Sequence, residues 1–355
     1  MQSGMEADVP PWIAVPERAR AWARELANKA LVYRLVRASG IGEAVSHDDP
    51  WEELVAAVYR RGSHAALFRL ERLGYELAVA TWERSGPPGD LLRGARAAAM
   101  PERSLLVVHC GMGLAFGQRV LTALERGSGD ADLAAALGRV VDLCRDNSRD
   151  GCVGAALEAV GLYVRIFHPD LLAGAGRVMA TLDEDTRAYF WHGVGRGVYF
   201  LPRHFVPGSV ARALAVCRRE GPDAAARRDA LDGFFFATAM VNLRHPRVVE
   251  HLLTTAGLLP EEEDVAAAGV MAALLARFHT TPDDPSVGRL LVHRPAPHRA
   301  LLWDRLVADR GARAIAVYYP QLTASGRLGE LARHVAFRGL ASAFSRKDVR
   351  DSRPA

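Results

Sequence analysis

The sequence predicts an almost entirely α-helical protein, and three observations carry that prediction. Apolar residues recur at three- and four-residue spacing nearly throughout, as in PERARAWARELANKALVYRLVRA at 16–38. Helix-start signals recur along the chain, whereas strand signals are scarce. Glycine-bearing segments return about every 40 residues, the length of one antiparallel helix pair with its turns.

Taken in order, residues 1–95 read as an N-terminal helical cap of two degenerate helix pairs. Within it, Asp49 can cap a helix, Pro50 suits the first helical position, and Glu52 and Glu53 suit the positive end of the dipole. SGPPGD at 85–90 reads as a linker. Residues 96–279 read as a helical repeat core, with pairs near 104–145, 149–182, 186–220 and 230–257. Met100-Pro101-Glu102, Leu182-Asp183-Glu184-Asp185, Leu259-Pro260-Glu261 and Thr281-Pro282-Asp283-Asp284 open further helices. Residues 280–342 read as a C-terminal helical extension, where LLVHR (290–294) and AIAVYY (314–319) are the best strand candidates. Residues 343–355 read as a disordered tail.

The core carries an apparent internal duplication. HCGMGLAFG (109–117) aligns with WHGVGRGVY (191–199), which places Gly111 with Gly193 and Gly113 with Gly195, 82 residues apart. The Asp-Gly segments beginning at Asp150 and Asp232 are also 82 residues apart. A helix pair cannot bury its apolar face alone, so the expectation is a solenoid-like stack with the glycine helices inside.

Composition narrows the function classes. Half of the 355 residues are apolar, and the net charge is +4 from 45 basic and 41 acidic residues. Only Lys29 and Lys347 are lysines, which points to codon bias, and no basic stripe carries interleaved aromatics. Nucleic-acid binding is therefore disfavoured. The N-terminus lacks a signal-peptide pattern. The longest apolar runs cover roughly a dozen residues where a membrane span needs about 20, so the chain reads as soluble and cytoplasmic, with no membrane span. Cys110, Cys144, Cys152 and Cys217 form no C-x-x-C and read as buried free thiols.

FWHGVGRGVYFLP (190–202) places Gly193, Gly195 and Gly197 at alternate positions. No strand precedes it, so a phosphate loop is disfavoured. A glycine inside a helix costs about 1 kcal/mol relative to alanine. Close approach of a neighbouring helix is the favoured compensation, and a ligand lying on the glycines is the alternative. The polar groups on these helices, His109, Cys110, Glu158, Arg165, His192 and Arg196, sit in apolar segments and need partners. Glu158 with Arg196 or Arg165 is one plausible pair. The structural reading is an internal salt bridge; the functional one is proton transfer in an apolar groove by Glu158, His192, Arg196 and Tyr199. Such a groove would be lined by His109, Gly111, Gly113, Gly193, Gly195, Gly197, Trp191 and Phe235. Aromatics concentrate here (Phe190, Trp191, Tyr199, Phe200, Phe205 and Phe234 to Phe236), as core or as ligand lining. No histidine or cysteine spacing suits a metal, and no cofactor motif or serine elbow occurs.

HCGMGLAFG, FWHGVGRGVYFLP and the two Asp-Gly segments resemble the UnbL-type family of unknown function encoded beside enediyne polyketide synthases. The resemblance covers roughly 95–330. That family often carries an acid before the glycine equivalent to Gly111, where this chain has Cys110. The resemblance implies a role in enediyne biosynthesis, whose core begins as a linear polyene on a carrier protein; it implies no specific reaction. The leading expectation is an accessory protein that binds or chaperones an apolar polyene or enediyne intermediate, or scaffolds the synthase. The alternatives are a cofactor-independent enzyme working by proton transfer on that intermediate and a generic protein-interaction array. The partners expected are the apolar intermediate or the synthase and its carrier protein.

Overall fold

A computed structural model describes residues 16–38, 48–124, 129–201, 204 and 209–325. Phe205 and the expected disordered tail lie outside the described residues.

The chain is all-α, with no strand among the described residues. Three helices form the N-terminal region: α1 (Glu17–Arg37), α2 (Trp51–Arg60) and α3 (Ser63–Ser85). They are followed by α4 (Glu102–Leu121), α5 (Asp130–Asn147), α6 (Val153–Phe167), α7 (Leu172–Met179) and α8 (Glu184–Phe200). The rest are α9 (Ser209–Glu220), α10 (Ala224–Asn242), α11 (Pro246–Thr255), α12 (Glu263–Thr280) and α13 (Ser286–Leu291). A helical run from 300 to 324 closes the described chain, with π-type turns at Asp304–Ala308 and Ala314–Tyr318.

Local chemistry explains several boundaries. The carboxylate of Asp183 accepts from the Thr186 amide and that of Asp223 accepts from the Ala226 amide, capping α8 and α10. Pro50, rather than Asp49, stands at the N-cap of α2. The first His-Pro ends α6 at His168, and the second starts α11 with Pro246 in its first turn. The two strand candidates are corrected: LLVHR begins in α13, and AIAVYY lies in the second π-type turn and the helix after it. Leu290 and Ala314 are fully buried there. A short apolar run does not distinguish a strand from a buried helix segment.

The helices form an inner and an outer layer. Helices α3, α4, α6, α8, α10 and α12 pack side by side in that order, and α12 comes round to touch α4. Outside them, α5 lies against α4 and α6, α7 against α8, α9 against α8 and α10, and α11 against α10. Helix α1 leans on α3, α10 and α11. Helix α4 alone among the described helices is long and apolar enough to cross a membrane, with mean hydropathy 1.3, but 83% of that stretch is buried inside the protein.

Glycines set the spacing of the inner layer. A Cβ on Gly193 would lie 1.8 Å from the Glu158 carbonyl oxygen of α6, and one on Gly195 would lie 1.7 Å from the Ala230 carbonyl oxygen of α10. Gly111 meets the Glu71 carbonyl at 1.8 Å and Gly113 meets that of Ala156 at 2.1 Å in the same way. Gly74, Gly161, Gly233 and Gly269 repeat the arrangement against Val108, Phe190, His192 and Asp232. Backbone thus rests on backbone, where Cα–H groups can point at carbonyl oxygens. Gly193 faces Glu158 and Leu162, and one turn on Gly197 faces Leu162 and Arg165, so α6 and α8 run in the same direction. The paired Asp-Gly segments do not correspond: Gly151 makes a positive-φ turn before α6, whereas Gly233 sits inside α10.

This packing generates opposite outcomes for two glycine substitutions. Gly193→Ala forces α6 and α8 apart and costs upwards of about 3 kcal/mol. Gly138 lies in α5 with open space at its Cβ position, and Gly138→Ala stabilises by roughly 0.4–1 kcal/mol. Urea unfolding of both variants beside the parent chain measures the contrast.

Candidate functional site

The inner layer encloses a cavity of about 610 Å³, within the range of small-molecule sites. Its wall is drawn from α1, α3, α4, α6, α8, α10 and α12. The lining is largely apolar, with Phe68, Leu106, Leu162, Phe200, Phe236 and Met240 prominent. On α4 it runs from Leu106 to Gln118, and on α6 from Ala155 to Phe167. At 1.5 Å per residue each stretch is about 18 Å long, so the cavity is elongated. The deep residues are buried, whereas Arg37 and Phe167 are exposed and Tyr33, Arg72, Tyr75 and Gln118 are half-buried. The mouth therefore lies among the C-terminal ends of α1, α4, α6 and α8.

One polar layer interrupts the apolar wall. Arg196 of α8 reaches across the interior, where its Nη2 donates to Glu71 Oε1 of α3 at 2.6 Å. Its Nη1 donates to the Cys110 sulfur of α4 at 3.0 Å and lies 3.6 Å from Glu158 Oε2 of α6. Glu158 Oε1 stands 3.0 Å from His192 Nδ1. His192 Nε2 in turn lies 3.8 Å from Asp232 Oδ1 of α10, an ion-pair distance longer than a hydrogen bond. Five inner helices thus contribute to a chain from Glu71 through Arg196, Glu158 and His192 to Asp232, with Cys110 beside it.

Burial sets the protonation of this layer. It pushes the Asp232 carboxyl well up, and the charge of Glu158 adds to that. Burial also pushes the Cys110 thiol well up, against the pull of Arg196, so it is a poor nucleophile. For Arg196 burial opposes the charge, but Cys110, Glu71 and Glu158 outweigh it and hold the guanidinium above its ordinary value. With the thiol neutral, the two carboxylates supply the charge that secures it.

The sequence-based site residues separate into groups. Glu158 and Arg196 lie on the cavity wall; His192 stands behind Glu158. Arg165 is not the partner of Glu158, because it pairs with Glu220 at 2.8 Å. Tyr199 is corrected: its hydroxyl accepts from Asn242 at 2.8 Å, and Lys29 stands 3.9 Å over its ring, away from the cavity wall. Gly111, Gly113, Gly193 and Gly195 face helix backbones, and Gly197 faces the side chain of Arg165, so none lines a groove. Trp191 packs over Gly176 of α7, and Phe235 is buried edge-on to Phe234. Neither residue lines the cavity, whereas Phe200 and Phe236 do.

His109 is corrected as well. Its Nδ1 donates to the Leu105 carbonyl at 2.7 Å and its Nε2 accepts from the Arg149 amide at 3.0 Å, so it ties α4 to the turn before α6. Glu71 is the residue on the cavity wall that the sequence reading missed. Its signal is visible in retrospect: Glu71 stands three residues before Gly74, as Glu158 stands three before Gly161. Among the described residues, no group of three His, Cys, Asp or Glu side chains is arranged to hold a metal ion.

The position of His109 makes stability depend on pH. Burial, with Arg149 adding to it and the Leu105 bond opposing, lowers its pKa to about 4. The unfolded chain takes up that proton below about 6.5, the folded one only near 4. The contribution is thus complete above pH 6.5 and is lost as pH falls toward 4, by on the order of 3 kcal/mol. Unfolding free energies across that window should fall more steeply for the parent chain than for His109→Gln. No protein-family model, curated protein or solved structure matches the chain.

Proposed function

We propose that the protein binds a linear apolar small molecule in the interior cavity, as an accessory protein that holds a polyene or enediyne intermediate during enediyne biosynthesis. The observation that carries the binding reading is the cavity: elongated, walled by apolar side chains and open at one end. Each Å² of apolar ligand surface moved from water into such a wall contributes about 25 cal/mol. The pathway is supported by the resemblance of the glycine helices to the UnbL-type family. The synthase or its carrier protein is the partner that fits this reading. A generic interaction array would call for an open, charged groove, and the apolar interior favours a ligand instead.

One observation favours a second reading, a cofactor-independent enzyme. Glu158 faces the cavity, with His192 bonded behind it and Asp232, its carboxyl pushed up by burial, behind His192. A carboxylate so placed can take a proton from one carbon of a conjugated chain and return it at another, while Arg196 polarises a carbonyl at the same depth. Such an isomerisation balances without a redox partner. Tyr199 has no part in it.

The binding reading is tested by fluorescence titration with a conjugated linear tetraene, which brightens on leaving water. Micromolar saturable binding is the expected result. Leu114→Trp narrows the half-buried outer part of the cavity and should weaken binding at least tenfold, with an unchanged unfolding midpoint. No saturation with the parent chain would overturn the reading. The enzymatic reading predicts that Glu158→Gln and His192→Asn each fold and bind the tetraene yet fail to support product formation in producing cells. Normal production by both variants would dismiss it.

A further inference from the structure

The cavity is not symmetrical in charge along its length, and that asymmetry specifies more than an apolar occupant. The inner polar layer holds two carboxylates, Glu71 and Glu158, against one guanidinium, Arg196. These three groups sum to −1 with His192 neutral and to 0 with His192 protonated, and Asp232 adds no positive charge in either form. An anionic group carried to that depth would face two buried carboxylates and lose its hydration. The mouth has the opposite balance. Arg37 and Arg72 line it, with Glu76 pairing with Arg72 at 2.9 Å. Among the side chains of the rim, two positive groups against one negative leave +1. The Phe200 carbonyl at the end of α8 accepts from the Tyr33 hydroxyl at 2.7 Å.

Resting on the binding reading above, we propose that the ligand is a linear amphiphile with an anionic head, a long-chain carboxylate or its phosphate analogue. The head lies between Arg37 and Arg72, and the tail runs inward past Arg196. The geometry supports this orientation in three ways. The tail meets Leu114, Leu162 and Met240 before it reaches the polar layer, and Leu106 and Phe68 beyond it. The wall is about 18 Å long, which matches an extended chain rather than a compact ring system. Exposed Phe167, stacked on Tyr163 with ring centroids 4.9 Å apart, offers an apolar edge at the rim for the first carbons of the tail.

Three probes with one tail and different heads test the proposal: dodecanoate, dodecanol and dodecylamine, titrated below their micelle concentrations by displacement of the fluorescent tetraene. Dodecanoate should bind at least tenfold more tightly than dodecanol, and dodecylamine most weakly. In Arg37→Gln/Arg72→Gln, dodecanoate affinity should fall to that of dodecanol, while dodecanol affinity stays the same; the unchanged alcohol shows that the variant is folded. Equal affinity for all three heads, or tightest binding of the amine, overturns the anionic-head proposal and leaves the binding reading standing. Failure of every probe and of the tetraene overturns both. Dodecanoate that keeps its advantage in the double variant places the head elsewhere and also overturns the proposal.

Discussion

The constraint on which the rest of the structure depends is the contact of helix backbone on helix backbone at the inner glycines. Eight inner glycines, from Gly74 to Gly269, each face a neighbouring carbonyl so closely that any side chain would collide. Each forgoes the intrinsic stability of alanine, about 1 kcal/mol per position. Dispersion and Cα–H contacts along the closely approached helices offset that loss. Outside the inner layer the contacts differ: Gly174 and Gly176 of α7 meet side chains rather than backbone, and Gly138 in α5 has open space around it.

The glycine level is also the level of the buried charges. Cys110, His192 and Asp232 each directly precede an inner glycine, and Glu71 and Glu158 each stand three residues before one. A side chain in either position lies beside the notch, so the notched helices bring their polar groups together inside the layer. Such a layer is a poor way to gain stability, because desolvation of the ions absorbs most of their attraction. Its members are secured mutually: Arg196 holds two carboxylates and is kept charged by them. It stands on the wall of the cavity, where the same groups meet whatever enters.

Helical periodicity and capping signals made the fold class and most helix positions legible. The duplicated glycine pattern led to the inner helices, and the favoured reading of Gly193 and Gly195 as close-approach positions agrees with their contacts. What sequence could not supply was direction around each helix. Trp191 and Phe235 share segments with the inner glycines but point into helix packing, while Phe200 and Phe236 reach the cavity. Tyr199 is bound by Lys29 and Asn242, partners 170 residues before it and 43 after it, which no local pattern announces. Glu71 was missed because α3 lies outside the segments that seemed to repeat. The Asp-Gly alignment failed because Gly151 serves a turn and Gly233 a helix crossing, two uses of glycine that look identical in one dimension.

The cavity follows from the same constraint as the core. Helices that touch backbone to backbone at one level must part wherever larger side chains replace glycine. Toward the C-terminal ends of α4, α6 and α8 those side chains are Leu114, Gln118, Leu162, Ile166, Phe167 and Phe200, and all of them line the opening. The change is already visible at Gly117, which meets the ring of Tyr163 at 3.4 Å rather than a backbone. The pinch and the widening are therefore two ends of one gradient in side-chain size. A narrow charged waist with an apolar funnel on its open side is the shape that this gradient makes.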